Sequence, residues 1–430
     1  MASFVSTFDT RSIKHISQSE QCHFDMAKVG SIWTRFRWTR TDYDRIDCRS
    51  SFVRKNHIMH LTCVVGARPN FVKIGPILKA THRYPDMQVS LVHTGQHYDD
   101  RMSTLFFDEL CLPMPEVHLG IGGGSQAAQT GRIMIAFDEV LETGVTDCVL
   151  VVGDVNSTLA CALTAAKRGI PVAHVEAGLR SGDSAMPEEI NRILTDHISR
   201  YLFTTDREAE RHLNREGIPS ERIYFVGNVM IDTLLRHRER ARKSTILEQL
   251  KITAHEYAVC TFHRAGNVDE PSSAANTVAA LETLARRMTT VMPLHPRTRI
   301  RWKQFGLWER VQAIDGVILC DPLGYLDFQM LMDQARLVFT DSGGIQEETT
   351  VLGVPCLTFR ETTDRPITIA EGTNQLVGTD VSVLERVLEA CVRNERPQGK
   401  VPELWDGKSG ERIVAVLYQQ FHPDITNGAN

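Results

Sequence analysis

The sequence predicts an α/β protein made of two doubly wound domains, each built on a parallel β-sheet. At 430 residues the chain is longer than one hydrophobic core usually supports. From about residue 60 onwards, short runs of β-branched residues alternate with helical patterns, which is typical of repeated βαβ units. The strand runs are almost continuously apolar, as parallel strands covered on both faces must be.

The predicted elements follow one another in a regular order. Strands are predicted at 61–65, 89–93, 148–153, 171–175, 201–204, 223–226, 257–262, 290–294, 317–320, 337–340 and 355–359. Helices are predicted between most of them, for example at 71–82, 126–142, 157–168 and 187–201. We expect a first domain at 59–230, a second domain at 231–395, and a C-terminal helix and tail at 396–430 that pack back on the first domain.

Residues 1–58 differ from the rest because they show no sustained strand or helix period. They lack the apolar core of a secretory signal, and their acidic residues argue against a transit peptide. The first strand pattern begins just after Met59. We therefore expect a disordered extension or an artefact of start-site choice, with Met59 as the working start; a regulatory or targeting arm is the alternative.

Composition excludes several classes of protein. Hydrophobic residues make up 42% and charged residues 23% of the chain, and the net charge is −5, so nothing draws it towards nucleic acid or an anionic membrane. The ten cysteines are scattered without a C-x-x-C pair, which speaks against a zinc or redox site and favours a reducing cytoplasm. We expect no metal and no other cofactor.

The turn after the first strand predicts an anion site. The residues Gly66-Ala67-Arg68-Pro69-Asn70-Phe71-Val72-Lys73 lead from a strand into a helix. Arg68 and Lys73 flank the helix N-terminus, which itself attracts negative charge. The site would take a phosphate; two solvated cations on a capped loop are the plainer alternative.

Three carboxylates are predicted to meet at one edge of the first sheet. Asp154 follows the strand at 148–153, Glu176 follows the strand at 171–175, and Glu188 lies in the first turn of the next helix. Ligands of open parallel sheets bind outside these strand ends. Grouped carboxylates raise one another's pKa and so supply an acid/base set. For Glu188 and Glu189, a simple interaction with the helix dipole is the alternative.

That next helix, at 187–201, has apolar residues at helical spacing, which predicts a stripe facing the core. The residues of this stripe are Ile190, Ile193, Leu194, His197 and Ile198.

The second domain carries a predicted nucleotide site. Asp341-Ser342-Gly343-Gly344 joins a strand to a helix, and glycines there let backbone amides approach a diphosphate. Glu347 and Glu348 follow about one turn later, where a carboxylate can accept hydrogen bonds from a ribose. His263 follows another strand as a candidate acid or phosphate partner, or as a structural histidine.

Together these segments resemble the non-hydrolysing UDP-N-acetylglucosamine 2-epimerases over about residues 59–420. The segments that carry the resemblance are GARPNFVK, HTGQHYD, VVGDVNSTLA, HVEAGLRSGD, MPEEINR, VGNVMID, HPRTR, DPLGYLDF, TDSGGIQEE and RPITIAEGTN. The resemblance implies two Rossmann-like domains of the glycosyltransferase-B type, an active site in the cleft between them, a homodimer and a UDP-sugar substrate. Residues 96–99, Gln-His-Tyr-Asp, differ from members with an allosteric substrate site, so we do not expect that regulation here.

The resemblance also assigns roles to residues. Asp154, Glu176 and Glu188 match the acid/base carboxylates, and Arg68, Lys73 and His263 match residues near the diphosphate. Ser342, Gly343, Gly344 and Glu348 match phosphate and ribose contacts, Arg192 and Arg365 lie near the sugar, and Tyr325 borders the uracil.

The implied reaction interconverts UDP-GlcNAc and UDP-ManNAc by elimination and re-addition of UDP through a 2-acetamidoglucal. Segments ARPNF and HPRTR are also similar to relatives that act on diacetamido uronic acids, so a UDP-diacetamido-uronic acid is an alternative substrate. Three rival functions are a glycosyltransferase of the same architecture, a hydrolysing epimerase and a nucleotide-sugar sensor.

Overall fold

The computed structural model describes residues 58–95, 106–392 and 399–423. The expectations for residues 1–57 and for Gln96–Asp99 lie outside these residues.

The first sheet has seven strands, all parallel to their neighbours. They are β1 (Met59–Val65), β2 (Met87–His93), β3 (Val117–His118), β4 (Cys148–Val152), β5 (Val172–Ala177), β6 (Tyr201–Thr204) and β7 (Ile223–Phe225). Their order across the sheet is β3-β2-β1-β4-β5-β6-β7. The order reverses between β1 and β4, where a crevice opens at the carboxyl ends of the strands.

The second sheet has six strands, which are again all parallel. They are β8 (Tyr257–Thr261), β9 (Thr289–Pro293), β10 (Val317–Cys320), β11 (Leu337–Thr340), β12 (Cys356–Thr358) and β13 (Asn374–Leu376). Their order is β10-β9-β8-β11-β12-β13, so the reversal falls between β8 and β11.

Helices connect the strands of both sheets. Those of the first half are α1 (Arg68–Thr81), α2 (Gln126–Thr143), α3 (Asn156–Lys167), α4 (Pro187–Ile198), α5 (Arg207–Arg215), α6 (Val229–Ala241) and α7 (Ile246–Leu250). Those of the second half are α8 (Ala265–Val268), α9 (Pro271–Ala285), α10 (Pro296–Gln304), α11 (Trp308–Gln312), α12 (Tyr325–Asp333), α13 (Gly343–Leu352), α14 (Ile367–Ala370), α15 (Val381–Val392) and α16 (Ser409–Phe421). A single 3₁₀ turn, Ser220–Arg222, precedes β7.

The predicted fold class is confirmed, because both sheets are parallel and each is covered by helices. All eleven predicted strands form, with ends shifted by at most two residues. The strands β3 and β13 were not predicted, because two or three residues are too few to show a period in the sequence.

Two helices link the parts of the fold. Helix α6 follows the last strand of the first sheet and contacts α1 of the first sheet as well as α12 and α13 of the second. Helix α16 returns to pack against α1, so closely that a Cβ added at Gly410 would lie 2.7 Å from the Pro76 carbonyl carbon. Among the residues that the structure describes, no helix has the length and apolar character needed to cross a membrane.

The predicted core stripe of α4 is wrong. Ile190, Ile193 and Leu194 are 48%, 37% and 47% exposed, His197 is exposed too, and only Ile198 is half-buried. The opposite, polar side of the helix is the buried one, with residues Glu189, Asn191, Arg192, Thr195 and Asp196. Periodicity located the helix correctly, but its polar side packs onto charged and polar groups of the fold, which inverts the usual arrangement.

Candidate active site

The turn between β1 and α1 is tight and begins at Gly66. A Cβ added at Gly66 would lie 2.1 Å from Ser157 Oγ, so only glycine lets the turn approach α3 this closely. The Asn70 side chain accepts a hydrogen bond from the Gly66 amide at 3.0 Å and holds the turn in place. Arg68 is the first residue of α1, and its guanidinium carbon lies 4.4 Å from the centroid of the Phe106 ring.

Lys73 and Glu176 form a buried ion pair beneath the crevice between β1 and β4. Lys73 lies one turn into α1, and its Nζ is 2.5 Å from Glu176 Oε2 at the end of β5. Their side chains are 7% and 2% exposed. Among the described residues, Glu176 Oε1 has no hydrogen-bond partner, so this oxygen is available to a ligand. The predicted phosphate lysine is therefore bound to a predicted catalytic acid.

Asp154 lies in the turn after β4 and is held by Arg192. Its Oδ2 accepts hydrogen bonds from Arg192 Nε at 3.0 Å and from Arg192 Nη2 at 2.6 Å. Burial opposes its charge, but Arg192, Lys73 and Arg365 outweigh that effect and keep the pKa of Asp154 below its usual value. Asp154 is thus a carboxylate that can accept a proton.

Arg192 joins three carboxylates. Besides Asp154, its guanidinium contacts Glu189 Oε2 at 2.8 Å and Asp364 Oδ2 at 2.7 Å. Arg192 is 2% exposed, and although burial acts against its charge, the carboxylates raise its pKa. Asp364 lies in the loop after β12, so this one side chain connects the carboxyl ends of both sheets.

Arg365 makes a second connection between the sheets. Its Nε is 2.7 Å from Glu347 Oε1 and its Nη1 is 2.8 Å from Asp364 Oδ2, while its Nη2 lies 3.7 Å from Glu176 Oε2. Asn228 donates a further hydrogen bond to Glu347 Oε1 at 2.9 Å. Burial raises the pKa of Glu347 to about 7, although Arg365 opposes this.

A buried carboxylate fixes His263 at the switch point of the second sheet, which is the place between β8 and β11 where the strand order reverses. Asp341, which follows β11, accepts hydrogen bonds from the backbone amides of His263 and Arg264 and lies 3.0 Å from His263 Nδ1. Burial acts against the charge of Asp341, but His263 and the two amides bring its pKa down to about 2. Since Nδ1 is engaged and the side chain is 38% exposed, His263 Nε2 is left for a ligand.

The predicted diphosphate turn forms the start of α13. Ser342 is the N-cap residue and the helix begins at Gly343. A Cβ added at Gly343 would lie 3.6 Å from Asp364 Oδ1, and one added at Gly344 would lie 2.8 Å from Met230 Cε. The amide groups of the first helical turn have no partner within the helix, which makes this end suitable for an anion.

Glu348 and Tyr325 form a buried pair next to this turn. The Tyr325 hydroxyl donates to Glu348 Oε1 at 3.1 Å, and burial raises the pKa of Glu348 to about 8. The Tyr325 amide, at the start of α12, donates to Glu109 Oε2 at 2.5 Å. Glu109, which precedes β3 of the first sheet, therefore caps α12, which belongs to the second sheet.

Glu188 and Glu189 differ in their surroundings. Glu188 is half-buried. The pKa of Arg297 is raised mainly by its hydrogen bond to Asp269, and the charge of Glu188 makes a smaller contribution. Glu189 is buried, binds Arg192 and accepts hydrogen bonds from the Ser181 amide at 3.1 and 3.0 Å. The sequence placed both in the first turn, and only the tertiary structure distinguishes them.

The structure brings Asp154, Glu176, Lys73, Arg192 and Arg365 into one network. His263, Ser342, Gly343, Gly344, Tyr325 and Glu348 line the carboxyl end of the second sheet, and Arg68 and Glu188 lie at the edge of the first. Asp364 of this network was missed, and Glu189 was placed in the first helical turn but not predicted as a site residue. Asp364 directly precedes the RPITIAEGTN segment, and Glu189 directly follows Glu188, but neither has a pattern of its own in the sequence.

Comparison with known proteins identifies a family and structures of the same fold. The family model described as UDP-N-acetylglucosamine 2-epimerase matches residues 79–418. A UDP-N-acetylglucosamine 2-epimerase of Methanocaldococcus jannaschii is 41% identical over 364 residues, which cover 84% of this chain and 99% of that protein. The crystal structure of the Methanocaldococcus jannaschii UDP-GlcNAc 2-epimerase in complex with UDP-GlcNAc and UDP superposes with a TM-score of 0.80 at 41% identity, over 84% of this chain and 99% of that one.

A second kind of relative is equally similar in sequence. A UDP-2,3-diacetamido-2,3-dideoxy-D-glucuronate 2-epimerase of Pseudomonas aeruginosa is 41% identical over 323 residues, which cover 74% of this chain and 88% of that protein.

Proposed function

We propose a function from one premise: the chain belongs to the UDP-N-acetylglucosamine 2-epimerase family. The chain inverts carbon 2 of UDP-N-acetylglucosamine and so interconverts UDP-GlcNAc and UDP-ManNAc without hydrolysing them. The observation that carries the proposal is the position of Asp364. Its carboxylate binds Arg192, which holds Asp154, and it also lies next to Gly343 in the diphosphate turn. Acid/base groups and a diphosphate site therefore share one gap.

The order of bond breaking follows from the chemistry of the sugar. Carbon 2 carries an acetamido group and no adjacent carbonyl, so its proton is too weakly acidic for simple enolisation. The anomeric C–O bond breaks first, and UDP departs with the bonding electron pair. A carboxylate then takes the proton from carbon 2, and the electrons of that C–H bond form the double bond of a 2-acetamidoglucal. Protonation of carbon 2 from the opposite face and attack of the UDP oxygen on carbon 1 complete the inversion, with no net change of atoms or oxidation state.

Asp154 is the group best suited to remove a proton. It is ionised, it is oriented by two hydrogen bonds from Arg192, and it lies in the crevice at the switch point of the first sheet. Glu188 acts as the second acid/base group, from the first turn of α4. Glu176 completes the set with one oxygen bound to Lys73 and the other available to the sugar. General acid/base catalysis of this kind contributes about 10²–10⁴-fold.

The departing UDP is stabilised by groups of both halves. His263 Nε2 and the amides of residues 342–344 come from the second sheet, and Arg68 comes from the start of α1. Preorganised donors of this type favour the charge that develops on the leaving group. Glu348 and Tyr325 bind the ribose and border the uracil. The ion pairs of Arg192 and Arg365 hold the two halves together, which excludes water while the glycal and UDP are separated.

The test is to incubate the protein with UDP-GlcNAc alone in heavy water and follow carbon 2 by NMR. We expect the manno epimer to appear with deuterium at carbon 2. Release of free N-acetylmannosamine and UDP would instead identify a hydrolysing epimerase. Absence of both epimer and deuterium exchange would contradict the proposal and favour a glycosyltransferase or a sensor.

A UDP-2,3-diacetamido uronic acid is the second candidate substrate, favoured by the equal identity of the Pseudomonas aeruginosa relative. The same exchange assay with both sugars in parallel decides between them. The higher kcat/KM identifies the substrate class, since that ratio measures discrimination.

A homodimer is the proposed assembly, and the exposed side of α4 supports it. Ile190, Ile193 and Leu194 form an apolar surface that faces away from the fold. Light scattering should give a mass near twice the 48.4 kDa of one chain. Ile193→Asp should yield monomers, while Ile300→Asp, at an exposed site on α10, should not. A monomeric wild-type protein would contradict the proposal.

The reducing cytoplasm is the proposed location. All cysteines among the described residues are free thiols, and burial raises the pKa of Cys356 to about 12, which makes such a thiol unreactive. Fractionation of cells that express a tagged chain would test this location.

A further inference from the structure

A buried cluster of charged side chains lies beneath the turn that carries Asp154 and the end of β5 that carries Glu176, and it takes no part in the chemistry proposed above. Its centre is His174 on β5, which is 0% exposed. Asp196 on α4, also 0% exposed, lies beside it. Charged groups are rarely buried this deeply unless they are paired, so their arrangement requires an explanation.

The two ring nitrogens of His174 both face acceptors. Nδ1 is 2.7 Å from Asp196 Oδ1, and Nε2 is 2.8 Å from the carbonyl oxygen of Gly153. A neutral imidazole has only one N–H group and could satisfy only one of these contacts. Asp196 is held ionised by Arg180 and accepts from the Gly178 amide, so both contacts are hydrogen bonds only if His174 is an imidazolium. Gly153 directly precedes Asp154, so the second hydrogen bond fixes the turn that carries this carboxylate.

The second oxygen of Asp196 fixes the turn that follows β5. Asp196 Oδ2 accepts a hydrogen bond from the Gly178 amide at 3.0 Å and lies 2.8 Å from Arg180 Nη1. Arg180 is held in turn by Glu216, at 2.7 Å between Nη2 and Oε2. Burial opposes the charge of Asp196, but His174 and Arg180 outweigh it and keep the pKa of Asp196 below its usual value.

The end of β5 needs such support because Glu176, its last residue but one, has an unusual backbone. Its φ is +69°, in the left-handed region that residues other than glycine rarely adopt. The register of β5 against β6 also shifts between Val175 and Ala177. Conformations of this kind persist only where the surrounding structure enforces them, and they are frequent at functional sites.

We propose that His174, Asp196 and Arg180 are positioning residues. The imidazolium of His174, held by Asp196, fixes the turn that carries Asp154 and the end of β5 that carries Glu176. The inference rests on the proposed function for its effect on the reaction. The charged groups that face His174 are Asp196 directly, and Arg180 and Glu216 through Asp196. None of the three contacts the sugar; they set the angle from which the two carboxylates approach carbon 2.

The kinetic test uses two variants, His174→Gln and Asp196→Asn. His174→Gln removes the doubly donating imidazolium and Asp196→Asn removes its carboxylate partner, and each keeps a polar side chain of similar size. Deuterium exchange at carbon 2 should slow about 10- to 100-fold in kcat, because small displacements of a reacting group are this costly. The Kd for UDP should change less than about twofold, since the diphosphate turn belongs to the other sheet.

The matched control is Ser199→Ala. Ser199 follows the same helix, is 0% exposed and donates to the Thr195 carbonyl at 2.7 Å, but contacts neither turn. It should lower the melting temperature without slowing exchange. Wild-type kcat in both His174→Gln and Asp196→Asn would overturn the inference.

A spectroscopic measurement tests the imidazolium independently of activity. In protein labelled with ¹⁵N-histidine, the His174 signals are those that disappear in His174→Gln. Both ring nitrogens of His174 should give the signals of an imidazolium, because both face hydrogen-bond acceptors. A single protonated nitrogen would overturn the inference even if the protein folds and binds UDP. If wild-type protein shows no exchange, the proposed function fails, while these nitrogen signals still decide whether the clamp exists.

Discussion

Arg192 and Asp364 are 172 residues apart in the chain, yet they form an ion pair with 2.7 Å between Nη2 and Oδ2 and with both side chains 2% exposed. The pair joins the helix after β5 of the first sheet to the loop after β12 of the second. Because Arg192 also holds Asp154, the contact that closes the gap and the contact that orients the proposed base share one guanidinium.

Asp364→Asn should weaken this closure. We expect kcat for epimerisation to fall by about tenfold or more, because the variant loses the buried carboxylate that links Arg192 on the first sheet's side to Arg365 on the second. Free UDP and glycal should then accumulate as the gap opens, which HPLC of the reaction mixture can measure. Asp321→Asn is the control, since Asp321 pairs with Arg299 at an 85% exposed site. Equal product leakage from wild-type and Asp364→Asn proteins would argue against a closing role.

Asp154→Asn should slow deuterium exchange at carbon 2 by about 10²–10⁴-fold, because the ionised base is lost while its shape is kept. Binding of UDP, measured by calorimetry, should be nearly unchanged. Glu188→Gln should slow deuterium exchange at carbon 2 by a comparable factor. Asp138→Asn is the control because Asp138 is an exposed partner of Arg168 far from the switch point. An Asp154→Asn enzyme with wild-type exchange would refute the assignment.

Lys73→Met should destabilise the fold by about 3–5 kcal/mol, because the buried Glu176 carboxylate loses its nearer cation and keeps only Arg365, at 3.7 Å. The double variant Lys73→Met/Glu176→Gln should recover part of this loss, since it also removes the carboxylate charge that Lys73 neutralises. Urea unfolding of the wild type, the single variants Lys73→Met and Glu176→Gln, and the double variant gives the coupling free energy.

The matched surface pair is Arg83 with Glu411, whose side chains are 65% and 43% exposed. Arg83→Met should cost no more than about 1 kcal/mol, because exposed ion pairs contribute little. If Lys73→Met costs as little as Arg83→Met, the buried pair does not stabilise the fold.

Glu348 should make the free energy of unfolding fall as the pH rises. Its pKa is raised by burial to about 8 in the folded chain, well above its value in the unfolded chain, so the folded state holds the extra proton between these two values. The stabilisation that protonated Glu348 contributes is fully present at low pH and is lost as the pH rises to about 8. Thermal unfolding of Glu348→Gln between about pH 5 and pH 8 should therefore show a smaller decline than wild type. An identical slope in the two proteins would show that Glu348 ionises normally.

The positions of the strands and of the strand-end turns could be predicted from the sequence alone. A parallel strand buried on both faces must be apolar along its length, and the polar residues that follow it must lie at the carboxyl edge of the sheet. Local pattern therefore placed Asp154, Glu176 and the Ser342–Gly344 turn at the correct edges.

The local sequence pattern could not distinguish the roles of adjacent residues, nor could it show which side of a helix faces the core. It placed Glu188 and Glu189 in one helical turn, and it predicted that the apolar side of α4 faces inward, whereas Ile190 and Leu194 face outward. The inward side is set by Arg192 and Asp196, whose partners lie on other elements of the fold.

Sequence by itself determined the two parallel sheets and the edges at which chemistry occurs, because a strand buried on both faces must be apolar along its whole length. Only the tertiary structure decided which charges are paired, since an ion pair such as Arg192–Asp364 depends on where two distant segments meet and leaves no periodic trace in either.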